Sequence, residues 1–145
     1  MARDDLHTLI RLRKFEVDER QRAMAVLLRR EEAVLTGLNA LAEEKASESA
    51  FMEQAGIWEG STFTAYLEHW ELRRTQFAQA LQEVRHQIEQ ARDELSAAYR
   101  RLKTFEITKD IRDEAEQLEE RRMEQIELDE MGLELHRRRQ RADVL

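Results

Sequence analysis

Residues 63–105 read FTAYLEHWELRRTQFAQALQEVRHQIEQARDELSAAYRRLKTF, and this stretch predicts the fold. Its apolar residues recur in two series, each with a period of seven. The first series is Phe63, Trp70, Phe77, Val84, Ala91, Ala98 and Phe105, and the second is Leu67, Arg74, Leu81, Ile88, Leu95 and Leu102. An average spacing of 3.5 residues places apolar side chains in a narrow stripe that only another helix can bury. The stretch therefore predicts one helix of a coiled coil.

The first part of the chain carries a weaker form of the same pattern. Its seam positions are Ile10, Val17, Met24, Glu31, Leu38, Lys45 and Met52, together with Leu6, Arg13, Arg20, Leu27, Val34, Leu41, Glu48 and Ala55. A short connection lets two helices of one chain pack antiparallel at a low entropic cost. We therefore predict an all-α fold, a long two-helix antiparallel coiled-coil hairpin, although the sequence also allows the seams to pair between two chains. Charged seam residues such as Arg20 and Arg74 are predicted to fix the register by pairing across the seam.

The stretch AGIWEGSTF, residues 55–63, is predicted to contain the turn. Gly56 or Gly60 can take the left-handed conformation that ends a helix, and the hydroxyl group of Ser61, Thr62 or Thr64 can cap the next one. We predict a single coiled-coil domain over residues 1–145, with helix 1 at about 3–56, the turn at about 56–62 and helix 2 at about 62–140.

The two predicted helices differ in length. Residues 3–56 extend about 80 Å and residues 62–140 about 120 Å, so roughly thirty residues of the longer second helix overhang at the open end of the hairpin. The heptad pattern fails where the overhang begins, because its positions become Lys109, Arg112, Glu116 and Glu119. Ile111, Ala115 and Leu118 form a short stripe on another face. Within the first seam, Gly37 costs roughly 1 kcal/mol relative to Ala and is predicted to mark a bend.

Composition supports long helices and excludes several classes of protein. There is no proline to break a helix and no cysteine for disulfides or thiolate chemistry, and charged residues make up 38% of the chain. Neither a signal peptide nor an apolar run of the ~20 residues needed to span a membrane is apparent. We therefore expect a cytoplasmic protein. The net charge of −7 argues against general nucleic-acid binding.

No motif predicts catalysis, a metal or a cofactor. The glycines do not form a phosphate-binding loop, and no two histidines have the i, i+4 spacing of a metal site. Glu83 and His86 form a lone Glu-x-x-His motif without the second copy that a di-metal site requires. Adjacent carboxylates such as Glu119 and Glu120 do not face one another, and a helical hairpin offers no pocket to separate two pKa values. We expect a protein that is not an enzyme.

Two surface features suggest partners. Leu12 and Phe15 lie off the first seam at i, i+3 spacing and form a predicted docking face. The basic tail HRRRQR, residues 136–141, allows a nucleic-acid binder as an alternative, or it is simply a solvated helix end. A further alternative is a general coiled-coil adaptor or chaperone that holds an amphipathic client segment along the stripe at Ile111 and Leu118.

Three segments resemble the FliJ family of flagellar export proteins, whose counterpart in virulence secretion is the YscO stalk. These segments are LIRLRKFEVDERQRAMAVLLRREEAVL at 9–35, RLKTFEITKD at 101–110 and EERRMEQIELDEMGLELHRRR at 119–139. The resemblance covers nearly the whole chain in length, order of features and unequal hairpin. It leaves open whether the chain serves a flagellar or a virulence system.

The resemblance implies a non-enzymatic stalk of the type III export apparatus, similar to the central stalk of rotary ATP synthases. Such proteins insert into the ring of the export ATPase FliI, promote its assembly and contact the export gate protein FlhA, and a role in handling export chaperones is also implied. The implied ATPase contacts are Arg11, Arg13, Lys14, Phe15, Arg121, Arg122, Gln125, Asp129 and Glu130. The implied gate contacts lie near the turn, at Trp58 and Tyr66.

Overall fold

The computed structural model describes residues 2–55 and 61–144, and both ranges are helical throughout. Helix α1 spans Ala2–Ala55, which is 54 residues, and helix α2 spans Ser61–Val144, which is 84 residues. The absence of proline permits these lengths, since every interior residue can donate its backbone N–H. Most of the predicted turn, including Gly56, Trp58 and Gly60, lies outside the described residues.

The two helices pack against each other, and the chain divides into two compact units, Leu12–Arg100 and Met1–Arg11 with Arg101–Leu145. We call the first the paired unit and the second the terminal unit. No described helix is apolar over a long enough stretch to cross a membrane.

Polar contacts between α1 and α2 in the paired unit show that the helices run antiparallel. Arg20 lies 2.6 Å from Glu94, Glu31 lies 3.3 Å from Arg85, and Glu44 lies 2.9 Å from Arg73. The partner's number falls as the α1 number rises, which is the order of an antiparallel pair. The predicted all-α hairpin is therefore confirmed.

Charged seam residues divide into two kinds. Arg20 and Glu31 reach across to the other helix, as the sequence predicts. Arg74 instead pairs with Glu71 of its own helix at 3.1 Å, and Arg13 forms an ion pair with Glu16 of its own helix at 2.9 Å. Long arginine side chains can leave the seam and still bury their aliphatic stems there.

The core of the paired unit is a single narrow seam. Its buried apolar residues are Val17, Leu41, Phe63, Trp70, Val84, Ile88 and Ala98. Half-buried between them lie Met24, Leu27, Val34, Leu38, Leu67, Phe77, Leu81 and Leu95. Because a seam between two helices is narrow, many of its residues keep part of their surface in contact with water.

Gly37 makes room in the seam for an aromatic ring. A Cβ atom built on Gly37 would lie 2.5 Å from Cε1 and 2.8 Å from Cζ of Phe77, distances that real Cβ atoms do not reach. Helix α1 continues through this position without interruption. The low helix propensity of glycine is thus offset by the close approach of Phe77. The sequence predicts a bend at Gly37 and does not predict this contact.

The terminal unit has a small core and a long exposed helix. Leu6, Ile10 and Leu102 are buried, and Phe105 is half-buried. Every residue from 117 to 144 is exposed. Since this range covers more than seven helical turns at 3.6 residues per turn, α2 is exposed there on all its faces. We call residues 117–144 the exposed helix.

Candidate functional site

The exposed helix carries large apolar side chains on opposite faces. Leu128, Met131 and Leu135, with exposed fractions of 61, 62 and 58%, follow one another at i, i+3 and i+7, and we call them the distal stripe. Met123, Ile126 and Leu133 are also exposed and form a second group. Residues two apart on a helix are separated by about 200°, so Ile126 and Leu133 point away from Leu128 and Leu135. The helix therefore presents apolar contacts on two sides.

Five of the residues that the family resemblance implies as ATPase contacts lie on the exposed helix, within about three turns of one another. These residues are Arg121, Arg122, Gln125, Asp129 and Glu130, and all are exposed. Three of their side chains form polar contacts within the same helix. Arg122 pairs with Glu119 at 2.9 Å, and Gln125 donates a hydrogen bond to Asp129 at 3.0 Å.

The electrostatics of these residues are those of a solvated helix. The hydrogen bond to Glu119 and its negative charge raise the pKa of Arg122, so its guanidinium group remains charged. Exposed ion pairs of this kind contribute only ~0 to 1 kcal/mol, so a partner can replace them at low cost.

The remaining four implied ATPase contacts lie on α1. Arg11 belongs to the terminal unit, and Arg13, Lys14 and Phe15 belong to the paired unit. Arg11, Lys14 and Phe15 are exposed, whereas Arg13 is half-buried. The aromatic ring of Phe15 lines a shallow surface groove together with Leu12, which is also exposed.

Tyr66, one of the two implied gate contacts, belongs to an ordered cluster of the paired unit. Its ring stacks on Phe63, with 6.2 Å between the centroids and 19° between the planes. Burial raises the pKa of Tyr66, and the nearby Glu44 carboxylate adds to the rise. The side chain is half-buried, so only part of it is available to a partner. Trp58, the other implied gate contact, lies outside the described residues.

Trp70 anchors the same cluster by contacts that heptad spacing does not reveal. Its indole Nε1–H donates a hydrogen bond to the backbone oxygen of Leu41 at 2.8 Å, and Lys45 Nζ lies 4.3 Å from the ring centroid. The carboxylate of Glu44, one residue before Lys45, pairs with Arg73, which lowers the pKa of Glu44. The sequence offers one indication of this contact, which is Lys45 at a seam position, since a cation there needs an aromatic or acidic partner.

The described residues contain no group of three or more His, Cys, Asp or Glu side chains that could hold a metal ion. In the lone Glu-x-x-His motif, Glu83 accepts a hydrogen bond from Gln87 at 3.3 Å, and both Glu83 and His86 are exposed.

The family model described as Flagellar FliJ protein matches residues 1–141. Neither a curated protein nor a solved structure matches the chain.

Proposed function

Because this chain belongs to the FliJ family and is a component of the flagellar protein export apparatus, we propose that it acts there as a stalk in the ring of the export ATPase FliI. On this proposal the exposed helix inserts into the ring and promotes its assembly, and the chain itself is not an enzyme. The stalk works in the cytoplasm, peripheral to the membrane-bound export complex.

One observation carries the proposal: residues 117–144 are exposed on every face, with apolar side chains on two opposite sides. A helix that docks on one flat surface needs one apolar stripe, whereas a helix surrounded by subunits meets partners in several directions. The charged residues between the stripes suit contacts that form and break repeatedly, because exposed ion pairs are weak.

The second part of the proposal is coupling to the export gate. We propose that FlhA contacts the chain near the turn, at Trp58 and Tyr66. We propose that FliI contacts the nine residues that the family resemblance implies: Arg11, Arg13, Lys14, Phe15, Arg121, Arg122, Gln125, Asp129 and Glu130. The coiled-coil packing of the paired unit supports this part of the proposal, since a coiled coil transmits a displacement along its length.

The test is the rate of ATP hydrolysis by purified FliI with and without the full-length chain. We expect stimulation by the native chain, and its loss when Arg121→Glu and Arg122→Glu are combined. The matched control combines Arg137→Glu and Arg138→Glu, which makes the same charge change on the same exposed helix outside the proposed contacts. Equal stimulation by both double variants would contradict the assignment, and no stimulation by the native chain would contradict the function.

A second candidate is suggested by the stripe at Ile111 and Leu118, whose side chains are 61 and 63% exposed. These two residues lie on one face at i, i+7 and can receive an amphipathic helix, such as a segment of an export chaperone. We expect Ile111→Asp with Leu118→Asp to abolish chaperone binding while leaving FliI stimulation intact. Unchanged binding in a pull-down with purified export chaperones would exclude this role.

A further inference from the structure

Gly132 lies in the middle of the exposed helix, and no described residue packs against it. A Cβ atom at this position would meet no described atom within 4 Å, in contrast to Gly37, where Phe77 fills the space. Glycine in a helix interior costs stability relative to alanine, so an exposed glycine is unfavourable unless something approaches it closely. Gly132 is next to Met131 and within one turn of both Leu128 and Leu135, at the edge of the distal stripe.

The distal stripe has a self-complementary pattern. In an antiparallel pair with a two-fold axis between Met131 and Gly132, Leu128 of one copy lies opposite Leu135 of the other, and Met131 lies opposite Gly132. In a two-fold dimer residue i of one copy contacts residue j of the other, and residue j of the first contacts residue i of the second, so each long Met131 side chain can fill the space beside the partner's Gly132. Antiparallel helices meet this condition, whereas parallel helices would place Met131 against Met131.

The charges beside the stripe follow the same symmetry. Glu124 lies four residues before Leu128, and Arg139 lies four residues after Leu135, so both are on the helix face that carries the distal stripe. Neither side chain forms an ion pair with any residue that the structure describes. Carboxylates dominate the helix before the stripe and four arginines follow it, so antiparallel copies place opposite charges together.

We propose that a second copy of this chain covers the distal stripe, forming an antiparallel pair about an axis between Met131 and Gly132. Met131 of each copy packs against Gly132 of the other, and Glu124 of each copy pairs with Arg139 of the other. The paired region is short, so the dimer is weak and concentration-dependent, in roughly the micromolar range or above. This inference needs no export ATPase and stands apart from the proposed stalk function.

Charge exchange tests the pairing in the full-length protein alone. Sedimentation equilibrium should show a monomer–dimer equilibrium for the native chain, weakened at least roughly tenfold by Glu124→Arg or by Arg139→Glu. An equimolar mixture of these two variants should form a one-to-one dimer, because each charge then faces its opposite. Arg141→Glu, on the other side of the helix, is the matched control and should dimerise like the native chain.

Gly132→Ala distinguishes the proposed contact with Met131 of the second copy from the effect of the substitution on helix propensity. Alanine should raise the helix content measured by circular dichroism while weakening self-association several-fold, because its methyl group occupies the space for Met131. Equal or tighter association of Gly132→Ala would overturn the proposal. It would also be overturned by a native chain that remains monomeric at millimolar concentration, or by a mixture of the two charge variants that does not pair.

Discussion

The paired unit and the exposed helix are built from the same residue types, yet they use their apolar residues in opposite ways. In the paired unit a period of seven gathers these residues on one stripe of each helix, and one neighbouring helix is sufficient to bury them. On the exposed helix they lie on opposite faces, which a single partner helix cannot cover. The distribution of apolar residues around the axis, and not their number, therefore separates the part that folds the chain from the part that meets partners.

The largest expected effect is on the free energy of unfolding, and it distinguishes a residue of the paired unit from one of the exposed helix. Trp70→Ala removes a buried indole and its hydrogen bond to Leu41, and we expect it to lower the free energy of unfolding by about 3–5 kcal/mol. Leu128→Ala, in the distal stripe, should change it by less than about 0.5 kcal/mol. Urea unfolding followed by circular dichroism at low protein concentration measures both. Similar losses for the two variants would show that the exposed helix is packed in solution.

The two glycines should respond to one substitution with opposite signs. Gly37→Leu drives a side chain into the ring of Phe77 and should destabilise the fold by about 1–3 kcal/mol. Gly132→Leu meets open space and replaces a poor helix former, so it should be neutral or stabilising by up to about 1 kcal/mol. Thermal unfolding of dilute protein distinguishes them. A stabilising Gly37→Leu would mean that Phe77 does not approach Gly37.

The smallest effect is a pH dependence confined to the paired unit. The pKa of Glu44 is lowered in the folded chain by Arg73, so its contribution to stability is present above the ordinary value of 4.5 and is lost as the pH falls below it. Glu44→Gln should remove this part of the acid destabilisation. The measurement is a plot of unfolding midpoint against pH, and Glu130→Gln, which removes one carboxylate from the exposed helix, is the control variant. Identical acid limbs for Glu44→Gln and the native chain would contradict the role of this pair.

Much of the fold could be predicted because periodicity is a local property of the sequence. The heptad series of residues 63–105 predicts α2 and the need for a partner helix, and the failure of the series near Lys109 predicts where apolar packing ends. The resemblance of residues 119–139 to the FliJ family agrees with the family match over residues 1–141. The residues that contact FliI and FlhA stay predictions, since a contact depends on the surface of the partner as well as on this chain.

The register between the helices could not be predicted, because it depends on the turn and on pairings between residues far apart in sequence. Heptad positions placed Arg20 and Arg74 in the same class, but only Arg20 reaches the other helix. Helix propensity is the same for Gly37 and Gly132, and only the approach of Phe77 to Gly37 distinguishes the two positions.

The sequence by itself determined two long helices, one shared seam and a second helix longer than the first. Helix propensity and the heptad period of the apolar residues act within a few turns, so they can be read locally. Only the tertiary structure decided which residues face each other across that seam. It placed Phe77 against Gly37 and the indole of Trp70 against the backbone of Leu41. Such contacts join atoms that a repeating pattern treats as equivalent, and close packing makes them different.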